Sequence, residues 1–248
     1  MTYTIAVSGK GGTGKTTLCG MLIKYLLDKG EKPILAVDAD ANSNLNDVLG
    51  VEVRSTIGEA RELMKKDAPT GMTKEIWFEY KVNEALIEAN GYDLLVMGRP
   101  EGPGCYCAAN TLARKYIDIL SDNYRYVVID NEAGMEHLSR LTTQNVNLLI
   151  IISDPSSRGV STAGRIRDLV LELNLHIDRT VLILNRAPRD LGPAIAGQAG
   201  AFGLELVGTI PADEMVFQFD VEGKPTFGLP AATPAVRSAR EIFSHLIQ

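Results

Sequence analysis

The segment Gly9-Lys10-Gly11-Gly12-Thr13-Gly14-Lys15-Thr16-Thr17 follows directly on the apolar run Tyr3 to Val7 and precedes an amphipathic stretch. It fits the phosphate-loop pattern G-x-x-x-x-G-K-[ST], which requires a strand before it and a helix after it. Glycines let successive backbone N–H groups turn inward around phosphate oxygens, and the following helix adds its positive N-terminus. In that pattern Gly11, Gly12, Thr13, Gly14 and Thr17 form the cradle. Lys15 supplies a point charge to the terminal phosphates, and the Thr16 hydroxyl is a Mg²⁺ ligand. The implied ligand is a nucleoside triphosphate with its Mg²⁺.

The rest of the chain repeats the same alternation. Apolar, β-branched runs occur at Thr4–Val7, Ile34–Val37, Leu94–Met97, Tyr126–Ile129, Leu148–Ile152, Thr180–Leu184 and Leu206–Ile210. Near-continuous runs of this kind suit strands buried on both faces. Between them Thr16–Lys29, Asn110–Asp122, Thr162–Leu173 and Pro234–Leu246 carry apolar residues at helical spacing. The expected fold is α/β: a doubly wound, mostly parallel sheet of about seven to eight strands, with ligands at the strands' carboxyl ends. No repeat or linker divides residues 1–248, so a single domain is expected. The excursion 51–90 between the second and third runs reads as an insertion with helical portions at Glu59–Lys66 and Glu75–Glu88. Its Trp77, Phe78 and Tyr80 either pack it onto the body or form an exposed patch.

Composition narrows the partners. A net charge of −6 gives no basic face for nucleic acid, so none is expected as a partner. No apolar run is long enough to span a bilayer, and no signal-like segment opens the chain. Three cysteines without secretory context suggest a reducing compartment and thiol chemistry, so a cytoplasmic protein without membrane attachment is expected.

Carboxylates stand just past two of the buried runs, in Asp38-Ala39-Asp40 and at Asp130. A Mg²⁺ on nucleotide phosphates finds outer ligands at such strand tips. Leu182-Ile183-Leu184-Asn185-Arg186 ends another run in an amide that can hydrogen-bond adenine, and that is equally a common turn residue. Lys10 is a second lysine inside the loop, which already wraps its own phosphates, so its side chain is free to reach elsewhere. The form K-G-G-x-G-K-T-T resembles the MinD/ParA/nitrogenase iron-protein family of P-loop ATPases. That resemblance implies an ATP-sandwiched homodimer in which Lys10 reaches the partner's nucleotide. It also implies that Asp40 positions the attacking water while Asp38 and Asp130 hold Mg²⁺ through its waters. Ile210-Pro211-Ala212-Asp213 resembles the family's second base-contacting segment, which adds Pro211 and Asp213 beside Asn185 and Arg186. The catalytic set would be Lys10, Lys15 and Asp40.

Gly102-Pro103-Gly104-Cys105-Tyr106-Cys107 follows the third run. Thiols at i and i+2 share a side only in an extended segment, and two thiolates make half of a four-sulfur metal site. A two-fold dimer would supply the other half, for tetrahedral Zn²⁺ or square-planar Ni²⁺. Inert buried thiols and a redox pair compete with that reading, and Cys19 fits a small core residue. Glu101–Cys107 together with Asp130-Asn131-Glu132-Ala133-Gly134-Met135-Glu136-His137-Leu138 resembles the CooC-type maturation ATPases. This resemblance runs from the phosphate loop to Pro211. It implies an ATP-dependent metallochaperone that holds Ni²⁺ or Zn²⁺ on Cys105 and Cys107 at a dimer interface. Hydrolysis of ATP to ADP would deliver nickel to apo carbon monoxide dehydrogenase or acetyl-CoA synthase. His137 matches a position whose role is either structural or metal contact. Two other classes stand beside this: a MinD/ParA-like spatial regulator, and an iron–sulfur electron-transfer ATPase.

Overall fold

The computed structural model describes residues 2–60, 71–99, 107–132, 145–188 and 193–247. Within them one eight-stranded sheet has the order β3-β4-β2-β5-β1-β6-β7-β8. The strands are β1 (Tyr3–Gly9), β2 (Ile34–Asp38), β3 (Ile87–Glu88), β4 (Tyr92–Val96), β5 (Tyr126–Asp130), β6 (Asn145–Ser153), β7 (His176–Ala187) and β8 (Glu205–Pro211). Neighbours pair in parallel except β3 with β4. The helices are α1 (Lys15–Asp28), α2 (Leu45–Leu49), α3 (Lys74–Ala85), α4 (Cys107–Ser121), α5 (Ser157–Glu172), α6 (Pro193–Ala201), α7 (Glu214–Val221) and α8 (Pro234–Leu246).

Strand alternation sends one set of side chains to each side. Ile5, Val7, Ile34, Ala36, Val128, Ile150 and Ile152 join the core under α1 and α8. Ala6, Leu35, Val37, Val127, Ile129, Leu149 and Ile151 join the opposite core with Phe78, Ile117 and Val160 from α3, α4 and α5. Both faces are covered, which is why the runs are apolar throughout. The α8 stripe Ala235, Val236, Ala239, Ile242, Phe243 and Leu246 is buried, each large side chain contributing roughly 1.5–3 kcal/mol. That face is therefore committed to the core, as its spacing predicts. No helix among the described residues is long and apolar enough to cross a membrane.

One expectation for the insertion needs correction. Glu75–Glu88 is not one helix: α3 ends at Ala85, and Ile87–Glu88 pairs antiparallel with Leu94 and Asp93 at the sheet edge. Glu59–Lys66 lies mostly outside the described residues, but its start is visible. The Thr56 backbone N–H donates to Glu59 Oε2 at 2.9 Å, while the Glu59 N–H donates to Thr56 Oγ1 at 3.2 Å, the reciprocal bonding of a capping box. The three aromatics divide. Phe78 is buried against Tyr116, with ring centroids 5.2 Å apart, whereas Tyr80 is exposed and Trp77 lies under Lys81 Nζ at 4.5 Å.

Candidate nucleotide site

The sheet register builds the site. In the parallel ladders Asp38 of β2 pairs with Asp130 of β5, and Asp130 pairs with Val7 of β1. The two carboxylates therefore stand side by side at adjacent strand tips, next to the strand that runs into the phosphate loop. On the other side of β1, Gly9 pairs with Ile152. A Cβ at Gly9 would lie 2.2 Å from the Ile152 carbonyl oxygen, so only glycine lets the loop leave the sheet there.

The loop is organised by its own backbone. Thr13 is buried, and its N–H and Oγ1 both donate to the Lys10 carbonyl, at 3.4 and 2.8 Å. Lys15 is also buried, with Nζ 3.5 Å from that carbonyl. Gly14, at φ +95°, is the N-cap of α1. No side chain caps this helix and its first turn holds no acid. Its first N–H groups and the positive end of its dipole are thus left for an anion. Gly11, Gly12 and Lys10 are exposed, while Thr16 and Thr17 are half-buried.

Burial dominates the electrostatics of the two acids. It raises Asp38 to about 6, although the backbone N–H groups of Leu45 and Asp40 donate to its oxygens at 2.9 and 3.1 Å. It raises Asp130 to about 7, with the charge of Asp38 adding to the rise and the Thr16 hydroxyl and Lys15 opposing it. Asp130 Oδ1 is buried and has no hydrogen-bond partner among the described residues. A buried carboxylate oxygen left unpaired, beside a second carboxylate and a threonine hydroxyl, fits an outer-shell partner of a nucleotide-bound Mg²⁺. Among the described residues no group of three or more His, Cys, Asp or Glu forms a metal cage. Nucleotide Mg²⁺ does not need one, since phosphate and water fill most of its shell. Asp40 is half-buried and accepts from the Asn42 N–H at 2.8 Å, which shapes the loop after β2.

A cavity of about 700 Å³ opens beside α1. Gly14, Thr17, Asn185, Arg186, Pro211 and Asp213 line it, so the residues predicted for phosphates and for base meet in one pocket of ligand size. Asn185 Nδ2 donates to the Thr13 carbonyl at 2.8 Å, and Asp213 accepts from the N–H groups of Met215 and Ala235, both at 2.9 Å. Asp213 therefore caps α7 and ties it to the start of α8. The sequence reading missed Phe217, Glu214 and Asp220, which also line the pocket. It missed Asp154 too, a carboxylate just past β6 that the strand-tip rule applied to Asp38 and Asp130 would have found. Hydrogen bonding with Ser156, and to a lesser degree the charge of Lys10, lower Asp154 below its ordinary value.

The cargo-metal prediction falls on Cys105 and Cys107, whose side chains lie outside the described residues. Cys105 and His137 lie outside the described residues. Cys107 is the first residue of α4, with its side chain undescribed. Cys19 is fully buried on α1, and burial pushes its thiol well above the usual range, so it is an inert core residue.

Comparison with known proteins agrees with this geometry. Residues 4–227 match the family described as the CobQ/CobB/MinD/ParA nucleotide binding domain. An uncharacterized ATP-binding protein of Methanocaldococcus jannaschii is 45% identical over 248 residues, covering 98% of each chain. The carbon monoxide dehydrogenase accessory protein CooC of Rhodospirillum rubrum is 34% identical over 247 residues, covering 92% of this chain and 90% of CooC. Among solved structures, the septum site-determining protein MinD of Pyrococcus horikoshii, complexed with Mg-ADP, superposes with a TM-score of 0.73 at 22% identity. It covers 100% of this chain and 97% of that one.

Proposed function

The chain belongs to the CobQ/CobB/MinD/ParA nucleotide-binding family and is an ATPase, and from that premise we propose that it is an ATP-dependent metallochaperone acting as a homodimer. The observation that carries this reading is the near full-length likeness to CooC. The proposed cargo is Ni²⁺, or Zn²⁺ in its place, held by Cys105 and Cys107 of each protomer. The proposed client is apo carbon monoxide dehydrogenase or acetyl-CoA synthase, and residues 1–248 act as one nucleotide-binding unit.

In this proposal the N–H groups of Gly11 to Lys15 and the uncapped start of α1 bind the phosphates, with Lys15 neutralising the terminal ones. Thr16, Asp38 and Asp130 would hold Mg²⁺, which when bound neutralises phosphate charge. Asp40 orients the water that attacks the γ-phosphate. Asn185, Arg186, Pro211 and Asp213 enclose the base. Lys10, exposed at the loop's edge, crosses to the partner's nucleotide. Phosphoryl transfer needs positioning and charge neutralisation more than a covalent nucleophile, and these residues supply both. ATP closes the dimer and brings the two cysteine pairs together; hydrolysis opens it. Metal capture follows if the closed state binds metal better than the open one.

The double variant Cys105→Ser/Cys107→Ser tests the metal half. It is expected to bind ATP as the wild type does while losing stoichiometric nickel, measured by metal analysis after anaerobic purification. Undiminished nickel in that variant would refute the assignment of the cysteines.

A further inference from the structure

The Asn185 carboxamide joins two parts of the site that lie far apart in sequence. Its Nδ2 donates to the Thr13 carbonyl at 2.8 Å, and its Oδ1 accepts from the Arg186 N–H at 2.9 Å. Arg186 holds a left-handed backbone at φ +54°, uncommon for a residue with a side chain. Thr13 in turn bonds Lys10 twice. One continuous chain of bonds thus runs from the tip of β7 through the phosphate loop to Lys10. The fit is tight: a Cβ at Gly14 would come within 2.5 Å of Asn185 Nδ2.

We infer that Asn185 is a positioning residue for the phosphate loop, not merely a contact to the base. A glycine-rich loop has many conformations, and ordering them on binding costs entropy. Tying the Thr13 carbonyl back to β7 fixes the neighbouring peptide units and so preorganises the N–H groups that face phosphate. The amide keeps one Nδ2 hydrogen and further lone-pair capacity, so a base contact is compatible with the clamp. The inference rests on the reading of this site as a nucleoside triphosphate site.

Calorimetric binding of Mg-ATP and of Mg-tripolyphosphate, which has no base, separates the roles. The proteins are the wild type, Asn185→Ala and the near-isosteric Asn185→Leu, with ligand-free melting to establish folding. Both variants should bind tripolyphosphate about tenfold more weakly, the scale of one lost hydrogen bond, and ATP at least as much more weakly. Unchanged tripolyphosphate affinity alongside weakened ATP binding would assign Asn185 to the base alone and overturn the inference. Unchanged affinity for both would also overturn it. Failure of both variants to fold would give Asn185 a role in the whole domain instead of the loop. A wild type that binds neither triphosphate would instead sink the functional reading beneath it.

Discussion

β1 and β6 lie side by side, and each runs through a short hook into a helix, yet the two hooks end in opposite ways. At α5, Ser156 caps the helix by accepting from the Gly159 N–H at 3.0 Å, and Asp154 accepts from the Ser156 N–H at 2.9 Å. At α1 the N-cap is a glycine, no side chain caps, and no acid enters the first turn. The β6 hook is chemically closed by its own residues. The β1 hook is open: the first N–H groups of α1 suit an anion, and the neighbouring acids suit the cation that accompanies it. A glycine cap costs only about a few tenths of a kcal/mol against a side-chain cap, so the open end gives up little local stability while keeping its N–H groups for phosphate.

The carboxylates show the same contrast. Asp154 is partnered and its acidity is increased. Asp38 and Asp130 are buried at the open hook and their acidity is decreased, to about 6 and about 7.

The largest expected effect lies at the open hook. Replacing Lys15 by Ala should lower ATP turnover on the order of a hundredfold or more, the scale of losing one preorganised donor to a developing charge. Turnover within a few-fold of wild type would break the contrast.

A pH series is the next test. Asp38 and Asp130 have folded values above their unfolded ones, so the ligand-free fold binds protons more tightly than the unfolded chain does. Their contribution is therefore most favourable below about pH 4 and is lost as pH rises through 6 to 7. Each tenfold difference in proton affinity between the folded and unfolded chain is worth about 1.4 kcal/mol. Asp154 has the opposite sign, its contribution being lost as pH falls below the ordinary carboxylate range. Urea unfolding of the ligand-free protein should show the decline between pH 4 and 7, and the variant Asp130→Asn should flatten it. An equally steep decline in that variant would contradict the assignment.

The smallest effect belongs to the closed hook. Ser156→Ala should cost about 1 kcal/mol, which is about 2–4 °C in melting temperature for a chain of this size, with ATP turnover unchanged. A large loss of turnover would mean that this hook is not merely structural.

Much of this contrast is legible in the sequence, because it is local. The glycine and lysine spacing marks the open hook, and the acids after Val37 and Ile129 mark the strand tips. Other features depend on distance in the chain. Thr13 and Asn185 are separated by 172 positions, so nothing near either residue announces the bond between them. The second bond of Asp213 reaches Ala235, 22 positions on. β3 is two residues long, too short for any periodicity, and exists because β4 offers an edge. α7 buries no residue fully and so carries no stripe to read. Phe78 and Tyr80 differ only in the face of α3 they occupy: Phe78, Val82 and Ala85 point inward at helical spacing, and Tyr80 does not.

Nickel titration of the anaerobic wild-type protein, with and without ATP, tests most directly the proposal that the open hook drives a metal clamp. One nickel per two chains is predicted, bound severalfold or more tightly when ATP is present, because coupling between sites typically spans about 5–150-fold. Equal nickel affinity in the two titrations, or one nickel per chain, would contradict it.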